Sequence, residues 1–362
     1  MKILQVINNL GTGGAEKLVF DIVPKYTAKG ISMDILVLDG TEYPFYVEFK
    51  KNTNSHLFYL GKSSVYNPFL IFKIIKFLKQ YDVVHVHLFP ALYWVALAKW
   101  ISFSKVKLVY TEHSTSNRRR NNWLFKLLDS FIYSKYSRLI CITDEVEAQL
   151  KKQLQFSDDL FQVIPNGIDL SKIEFAKSYD KNFLNLSLSS SSKLLIQVSS
   201  FQFPKDQATV IKSLKFLSDN IHLLLVGQGI LLEKAKQLVN TLYLNDRVHF
   251  LGIRMDIPNL LKTADIIILS SQYEGLSLSS LEGLSSGKPF IASDVPGLKE
   301  IVNQAGILFP FQDEKALAKE IDRLIKDKDY YATIVSQCLL RAKEYDIEIM
   351  LDKHIQLYYC LI

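Results

Sequence analysis

Two glutamates eight residues apart, Glu274 and Glu282, stand in the run Tyr273-Glu274-Gly275-Leu276-Ser277-Leu278-Ser279-Ser280-Leu281-Glu282, directly after the apolar stretch Ile266–Leu269. An ionised carboxylate only accepts hydrogen bonds and can take two from a diol, so such a pair on one rim suits a hydroxyl-rich ligand. The apolar stretch reads as a strand and the segment after it as a helix start. Eight helical residues make a little over two turns, which puts Glu282 within about 80° of the helical position eight before it. Glu274 then belongs to the loop ahead of the helix, and the N–H groups of Gly275, Leu276 and Ser277 open the helix toward an anion or a hydroxyl. Either glutamate alone reads more simply as a carboxylate favouring a helix dipole or as a surface side chain. The surroundings sharpen the pair: Gly227-Gln228-Gly229 follows a second strand end and Gly287-Lys288-Pro289 leads into a third strand, so several loops share one sheet edge.

A second candidate is the glycine-rich turn Leu10-Gly11-Thr12-Gly13-Gly14-Ala15-Glu16, between a first strand and a helix. Glycines there allow close backbone approach, and the helix N-terminus offers free N–H groups to an anion. Asp39 at the end of the second strand stands where a dinucleotide ribose is bound in oxidoreductases. The fingerprint for that class is incomplete, because its third small residue is replaced by Glu16. A tight turn without a ligand and a turn bordering a ligand cleft both remain open.

The elements that must position these residues alternate regularly. Strands are expected at Ile3–Ile7, Met33–Leu38, Val83–Leu88, Lys107–Thr111 and Leu139–Thr143, with helices near Ala15–Lys29 and Pro68–Gln80 and a buried helix within Phe89–Phe103. Short β-branched runs separated by helices indicate a parallel sheet covered on both faces, a doubly wound α/β domain. Ser178–Ser192, rich in Ser, Asn and Asp, reads as a linker. A second series follows at Lys193–Val198, Leu223–Val226, Val248–Leu251, Ile266–Leu269 and Pro289–Ala292. The expectation is two Rossmann-like doubly wound domains facing a cleft, residues 1–175 and 176–344, with a C-terminal helix in 345–362 packing back on the first.

The length of 362 residues suits two such domains, and 48% hydrophobic with 22% charged residues reads as a soluble globular protein and argues against disorder. Cys141, Cys338 and Cys360 are scattered, which argues against a disulfide framework or zinc site and for buried, reduced thiols. Neither a signal peptide nor a membrane span is visible, so a cytoplasmic location is expected, with possible attachment at the inner face of the cell membrane. The net charge of +6 is too small to indicate nucleic acid as a partner. Arg118-Arg119-Arg120, followed by Trp123 and Phe125, and the Lys/Phe/Ile mixture of Lys62–Lys79 have two readings: a solvated face, or attraction to anionic lipid headgroups.

Taken in order, Gly13-Gly14-Ala15-Glu16, Thr111-Glu112-His113, Pro165-Asn166-Gly167-Ile168-Asp169, Lys205, Val226-Gly227 with Gly229, and Glu274 to Glu282 with Gly287-Lys288-Pro289 give the chain its family likeness. It resembles, over nearly its whole length, the family 4 retaining glycosyltransferases of the GT-B fold. The resemblance implies that Glu282 holds the ribose hydroxyls of a nucleotide-sugar donor. Glu274 contacts hydroxyls of the transferred sugar, with the amides of Gly275, Leu276 and Ser277 nearby. Lys205 neutralises the diphosphate as the leaving group gains charge. Gly13, Gly14, Gly227 and Gly229 border the donor, while Glu16, His113 and Arg118 lie on the acceptor side, His113 near the sugar. The implied catalytic residues are His113, Lys205 and Glu274.

One position departs from the family. An arginine usually precedes the lysine as a second cation on the diphosphate, and here Ser200 stands in its place. A serine cannot supply a bidentate cationic fork, so Arg254, another basic group or backbone amides must substitute. The implied reaction moves a hexosyl unit from a UDP-sugar, or GDP-mannose, to a hydroxyl of a glycan or lipid-linked acceptor in surface polysaccharide or lipopolysaccharide assembly. No metal or other cofactor is expected, since Asp256 and Asp265 are isolated. A nucleotide-sugar epimerase, a reductase and a non-catalytic sugar-binding protein are the alternatives.

Overall fold

Apolar runs of three to six residues become parallel strands, and the amphipathic stretches between them become covering helices. The protein is represented by a computed structural model that describes residues 1–53, 55–114, 123–180, 188–189 and 191–362. It divides into two compact units, Met1–Gly167 with Ile347–Ile362, and Ile168–Asp346.

The first unit holds β1 (Lys2–Ile7), β2 (Ser32–Val37), β3 (Leu57–Tyr59), β4 (Val83–His87), β5 (Lys107–Glu112), β6 (Arg138–Cys141) and β7 (Phe161–Val163). These form one parallel sheet in the order β3-β2-β1-β4-β5-β6-β7, so the strand order reverses between β1 and β4. In such sheets ligands bind beyond the carboxyl ends of the strands at that reversal. The apolar Phe89–Phe103 stretch forms the helix Ala91–Ser102, closed by Phe103 in the left-handed region at φ 51°.

The second unit holds β8 (Lys193–Val198), β9 (Ile221–Val226), β10 (Val248–Gly252), β11 (Ile266–Leu269), β12 (Phe290–Ser293) and β13 (Ile307–Phe309), ordered β10-β9-β8-β11-β12-β13. Strands β9, β11 and β12 are buried along their whole length, as expected where helices cover both faces. The short strands β3, β7 and β13 are absent from the sequence reading, because three residues carry no usable periodicity. Most of the expected linker, residues 181–187 and 190, lies outside the described residues. The break between units precedes residue 175, because the helix Leu170–Glu174 packs on helices of the second unit.

The last helix, Ile347–Leu361, belongs to the first unit. It buries Met350, Leu351, Leu357 and Tyr358, and Glu348 pairs with Lys25 and Lys29 of the helix Gly14–Ala28. Cys141 and Cys338 are buried, and burial raises the Cys338 thiol to about 11. Cys360 is exposed, contrary to the expectation of three buried thiols. No helix among the described residues is long and apolar enough to cross a membrane.

Leu351 is 0% exposed, so Leu351→Ala removes packing that the first unit needs from the chain's final helix. The expected cost is about 2–5 kcal/mol, measured by chemical denaturation.

Candidate active site

In the second unit the reversal of strand order falls between β8 and β11, and the loops after these strands are laced together. The Asp206 amide donates to the Ser270 carbonyl at 3.0 Å, the Gln272 amide to the Pro204 carbonyl at 2.9 Å, and the Ser271 hydroxyl to the same carbonyl at 3.2 Å. Lys205 therefore runs antiparallel beside Ser271. Its ammonium makes an ion pair with the Glu274 carboxylate, the two side chains only 15% and 10% exposed. Removing one partner of such a buried pair leaves an uncompensated charge, so each holds the other in place.

Three glycines let the surrounding backbones meet. At Gly227 (φ 137°) a Cβ would stand 2.2 Å from the Ser199 carbonyl oxygen, and at Gly229 (φ 156°) 2.3 Å from that of Phe201. The Phe201 amide donates to Gln228 and the Leu231 amide returns to Phe201. These two glycines thus serve loop-to-loop packing around Ser200, whose carbonyl accepts from the Gln207 side chain at 3.0 Å. Gly297 (φ 83°), which the sequence reading did not single out, would place a Cβ 2.0 Å from the Glu274 carbonyl oxygen. The Pro296-Gly297 dipeptide was its available signal.

Gly275, Leu276 and Ser277 lead into the helix Leu278–Ser285, with Ser277 at its N-cap. Glu282, on the second turn, is 5% exposed. A Cβ at its neighbour Gly283 would meet the Phe290 ring at 2.5 Å, which shows how closely this helix lies on β12. Arg254 does not stand as a spare cation for the missing arginine. Its guanidinium donates to both Asp256 oxygens, at 2.8 and 2.5 Å, while Tyr179 donates to Asp256 at 2.7 Å. The Arg254 guanidinium holds the Asp256 carboxyl below its ordinary range.

In the first unit Gly13 caps the helix Gly14–Ala28. The Glu16 carboxylate folds back so far that a Cβ on Gly13 would meet it at 2.3 Å, and burial raises its carboxyl above the ordinary value. Asp39 is engaged by the Thr41 amide and hydroxyl at 3.0 and 2.8 Å, a local turn rather than a ribose site. Arg118 lies outside the described residues. His113, just past β5, bonds through Nε2 to His87 Nδ1 at 3.0 Å, and His87 Nε2 bonds to Gln5 Oε1 at 2.8 Å. Neither Gln5 nor His87 was picked from the sequence. Their signal was polar residues set within otherwise apolar strands: Gln5 alone in Ile3–Ile7, and His87 alternating with His85 across Val86. Burial lowers the imidazoles of His85 and His87 well below 6.5, that of His113 to about 4 and that of His354 to about 3.

Two parallel doubly wound sheets, the second bearing a lysine–glutamate pair at its strand reversal, have the GT-B architecture of glycosyltransferases. Residues 12–172 match the family model described as Glycosyltransferase Family 4, and residues 179–337 that of Glycosyl transferases group 1. The chain belongs to this group 1, family 4 lineage of glycosyltransferase enzymes. It is 29% identical over 273 residues to an Escherichia coli UDP-Gal:alpha-D-GlcNAc-diphosphoundecaprenol alpha-1,3-galactosyltransferase, covering 71% of this chain and 70% of that one. It is 22% identical to a Campylobacter jejuni N-acetylgalactosamine-N,N'-diacetylbacillosaminyl-diphospho-undecaprenol 4-alpha-N-acetylgalactosaminyltransferase, covering 94% of each. Among solved structures, Anabaena HepE in complex with UDP-glucose superposes with a TM-score of 0.85 at 21% identity, over 99% of this chain and 100% of that one.

The buried histidines make stability depend on pH. Below about 6.5 the unfolded chain binds protons that the folded chain refuses, so stability is present near neutrality and falls as pH drops toward about 4. The expected slope is on the order of 1.4 kcal/mol per pH unit for each histidine held neutral. Denaturation midpoints measured at intervals between neutrality and pH of about 4.5 check it, and a flat profile contradicts it.

Proposed function

We propose that the protein transfers a hexosyl unit, with retention, from a nucleoside-diphosphate sugar to a hydroxyl of a lipid-linked glycan in surface polysaccharide assembly, with UDP-sugars preferred over GDP-mannose. The observation that carries this is the buried Lys205–Glu274 pair ahead of the helix that bears Glu282. A bound diphosphate competes for the Lys205 ammonium and so releases Glu274 to accept hydrogen bonds from sugar hydroxyls. Glu282 binds the ribose diol, and the amides at Gly275–Ser277 add donors at the helix start.

In the proposed reaction the bond between the anomeric carbon and the β-phosphate oxygen breaks. The acceptor oxygen bonds to that carbon on the same face, and the acceptor proton passes to the departing phosphate oxygen. Lys205 and the helix N–H groups offset the charge that develops there, so no metal ion is required. With Ser200 in place of the usual arginine and Arg254 bound to Asp256, this assignment leans on Lys205 and backbone amides. The E. coli relative's name specifies UDP-Gal, a diphosphoundecaprenol-linked acceptor and an alpha linkage. An alpha product from an alpha-configured donor is retention, which supports the same outcome here.

The proposal extends to peripheral contact with an anionic membrane. Trp100 and Phe131, both exposed, meet edge to face at 5.5 Å on the helices Ala91–Ser102 and Trp123–Tyr133, with the Lys135 ammonium 4.3 Å above the Phe131 ring. Exposed aromatic and basic side chains together suit an interface of headgroups and acyl chains.

Incubation with a panel of UDP- and GDP-hexoses and an undecaprenyl-diphosphate-linked sugar is expected to give an alpha-linked product, undiminished by a chelator. Glu282→Ala should weaken UDP binding about tenfold or more in titration. A beta product, loss of turnover on chelation restored by Mg²⁺, or unchanged UDP and GDP affinity in the variant would each remove the corresponding part. In vesicle sedimentation, the protein should bind phosphatidylglycerol vesicles and not phosphatidylcholine ones, with Lys135→Glu reducing binding roughly fivefold, about one lost contact.

A further inference from the structure

The first unit carries a polar stripe across its strand reversal that the proposed reaction does not explain. Alternate residues of a strand share a face. In the observed register Gln5 on β1 stands opposite His85 on β4, and His87 opposite Thr111 on β5, with His113 two residues further on. Gln5, His85, His87 and Thr111 are buried, His113 at the end of the stripe is half-buried, and the last helix closes over His85. The Tyr358 hydroxyl lies 2.6 Å from His85 Nδ1, His85 Nε2 lies 2.7 Å from the Thr111 hydroxyl, and His354 stands edge-on to His85 at 5.5 Å. Tyr26 on the first helix bonds His354 Nδ1 at 2.9 Å.

The hydrogen bonds from Gln5 through His87 to His113 take their direction from the Gln5 amide. The Gln5 amide nitrogen lies 3.4 Å from Met33 Sδ, and a thioether only accepts, so the nitrogen end of the amide faces Met33 and the oxygen end faces His87. A carbonyl oxygen cannot donate, so His87 Nε2 must carry the proton. Burial keeps both His87 and His113 neutral near pH 7. A neutral imidazole has one N–H, so His87 Nδ1 is a bare acceptor. The proton shared with His113 therefore belongs to His113 Nε2.

We infer that His87, oriented by Gln5, is a positioning residue that locks His113 as its Nε2–H tautomer and leaves His113 Nδ1 as an acceptor for a substrate hydroxyl. A bare ring nitrogen repels phosphate oxygen and accepts from O–H, so His113 selects a hydroxyl of the transferred sugar or of the acceptor and not the diphosphate. Its functional half rests on the substrate role proposed for His113, while the tautomer is a property of the protein alone. The final helix gains a purpose beyond packing: it helps bury His85, whose burial keeps it neutral beside His87, the two rings 4.4 Å apart, and its Tyr358 hydroxyl partners His85 Nδ1.

Long-range nitrogen–proton correlation NMR on the full-length protein near neutral pH distinguishes the two tautomers of each histidine directly. Wild type is expected to show His113 as Nε2–H. Gln5→Glu places a carboxylate beside His87, favours its imidazolium and so turns His87 Nδ1 into a donor. His113 should then change to the Nδ1–H form, with turnover falling about tenfold or more. A raised KM for the donor in this variant marks the sugar hydroxyl as the partner, and a raised KM for the acceptor marks the acceptor hydroxyl. Wild-type His113 found as Nδ1–H, or as the imidazolium, overturns the inference without any variant. Full turnover in His113→Ala alongside the Nε2–H tautomer overturns the substrate role and with it the relay's function.

Discussion

The ion pair between Lys205 and Glu274 can form only because two loops from neighbouring strands run against each other, backbone to backbone. Opposite charges buried together are costly unless geometry is fixed on both sides. Here it is fixed by amide-to-carbonyl bonds between Pro204–Asp206 and Ser270–Gln272. Gly227, Gly229 and Gly297 belong to the same constraint, since a Cβ at any of them would strike a carbonyl oxygen of these loops. The second unit's loops are thus a single packed object, and its electrostatics follow from that packing.

The first unit handles its polar groups differently. It buries the imidazoles of His85, His87 and His354, and half-buries that of His113, with Gln5, Thr111, Tyr26 and Tyr358, and each imidazole meets a hydrogen-bond partner among them or another ring. Hydrogen-bonded in this way, buried polar groups specify one arrangement rather than many. The stripe also explains why the last helix returns to the first unit, where its buried face carries both apolar contacts and the partners of His85.

Ser200 shows how a missing charge is accommodated. The loop that would carry an arginine instead presents its backbone to Gln207 and the Gly227–Gly229 turn. Arg254, the one alternative named by sequence position, is bound by Asp256, which also accepts from Tyr179. Lys205 consequently bears more of the leaving-group charge in the proposed reaction than it would beside an arginine.

The sequence by itself determined the two doubly wound sheets, since continuous β-branched runs separated by helical stretches have few other solutions. It also determined the positions of the loops after β1, β8, β9 and β11, because glycine spacing and strand ends are local signals. The very short strands were not legible, and neither was the reach of the helix Leu170–Glu174 into the second unit. Likewise the pairing of Lys205 with Glu274, 69 residues apart, the meeting of Tyr179 with the Asp256 that holds Arg254, and the line from Gln5 through His87 to His113 depend on sheet register and strand order. These are non-local quantities: which strands become neighbours decides which side chains meet, and only the folded chain settles that.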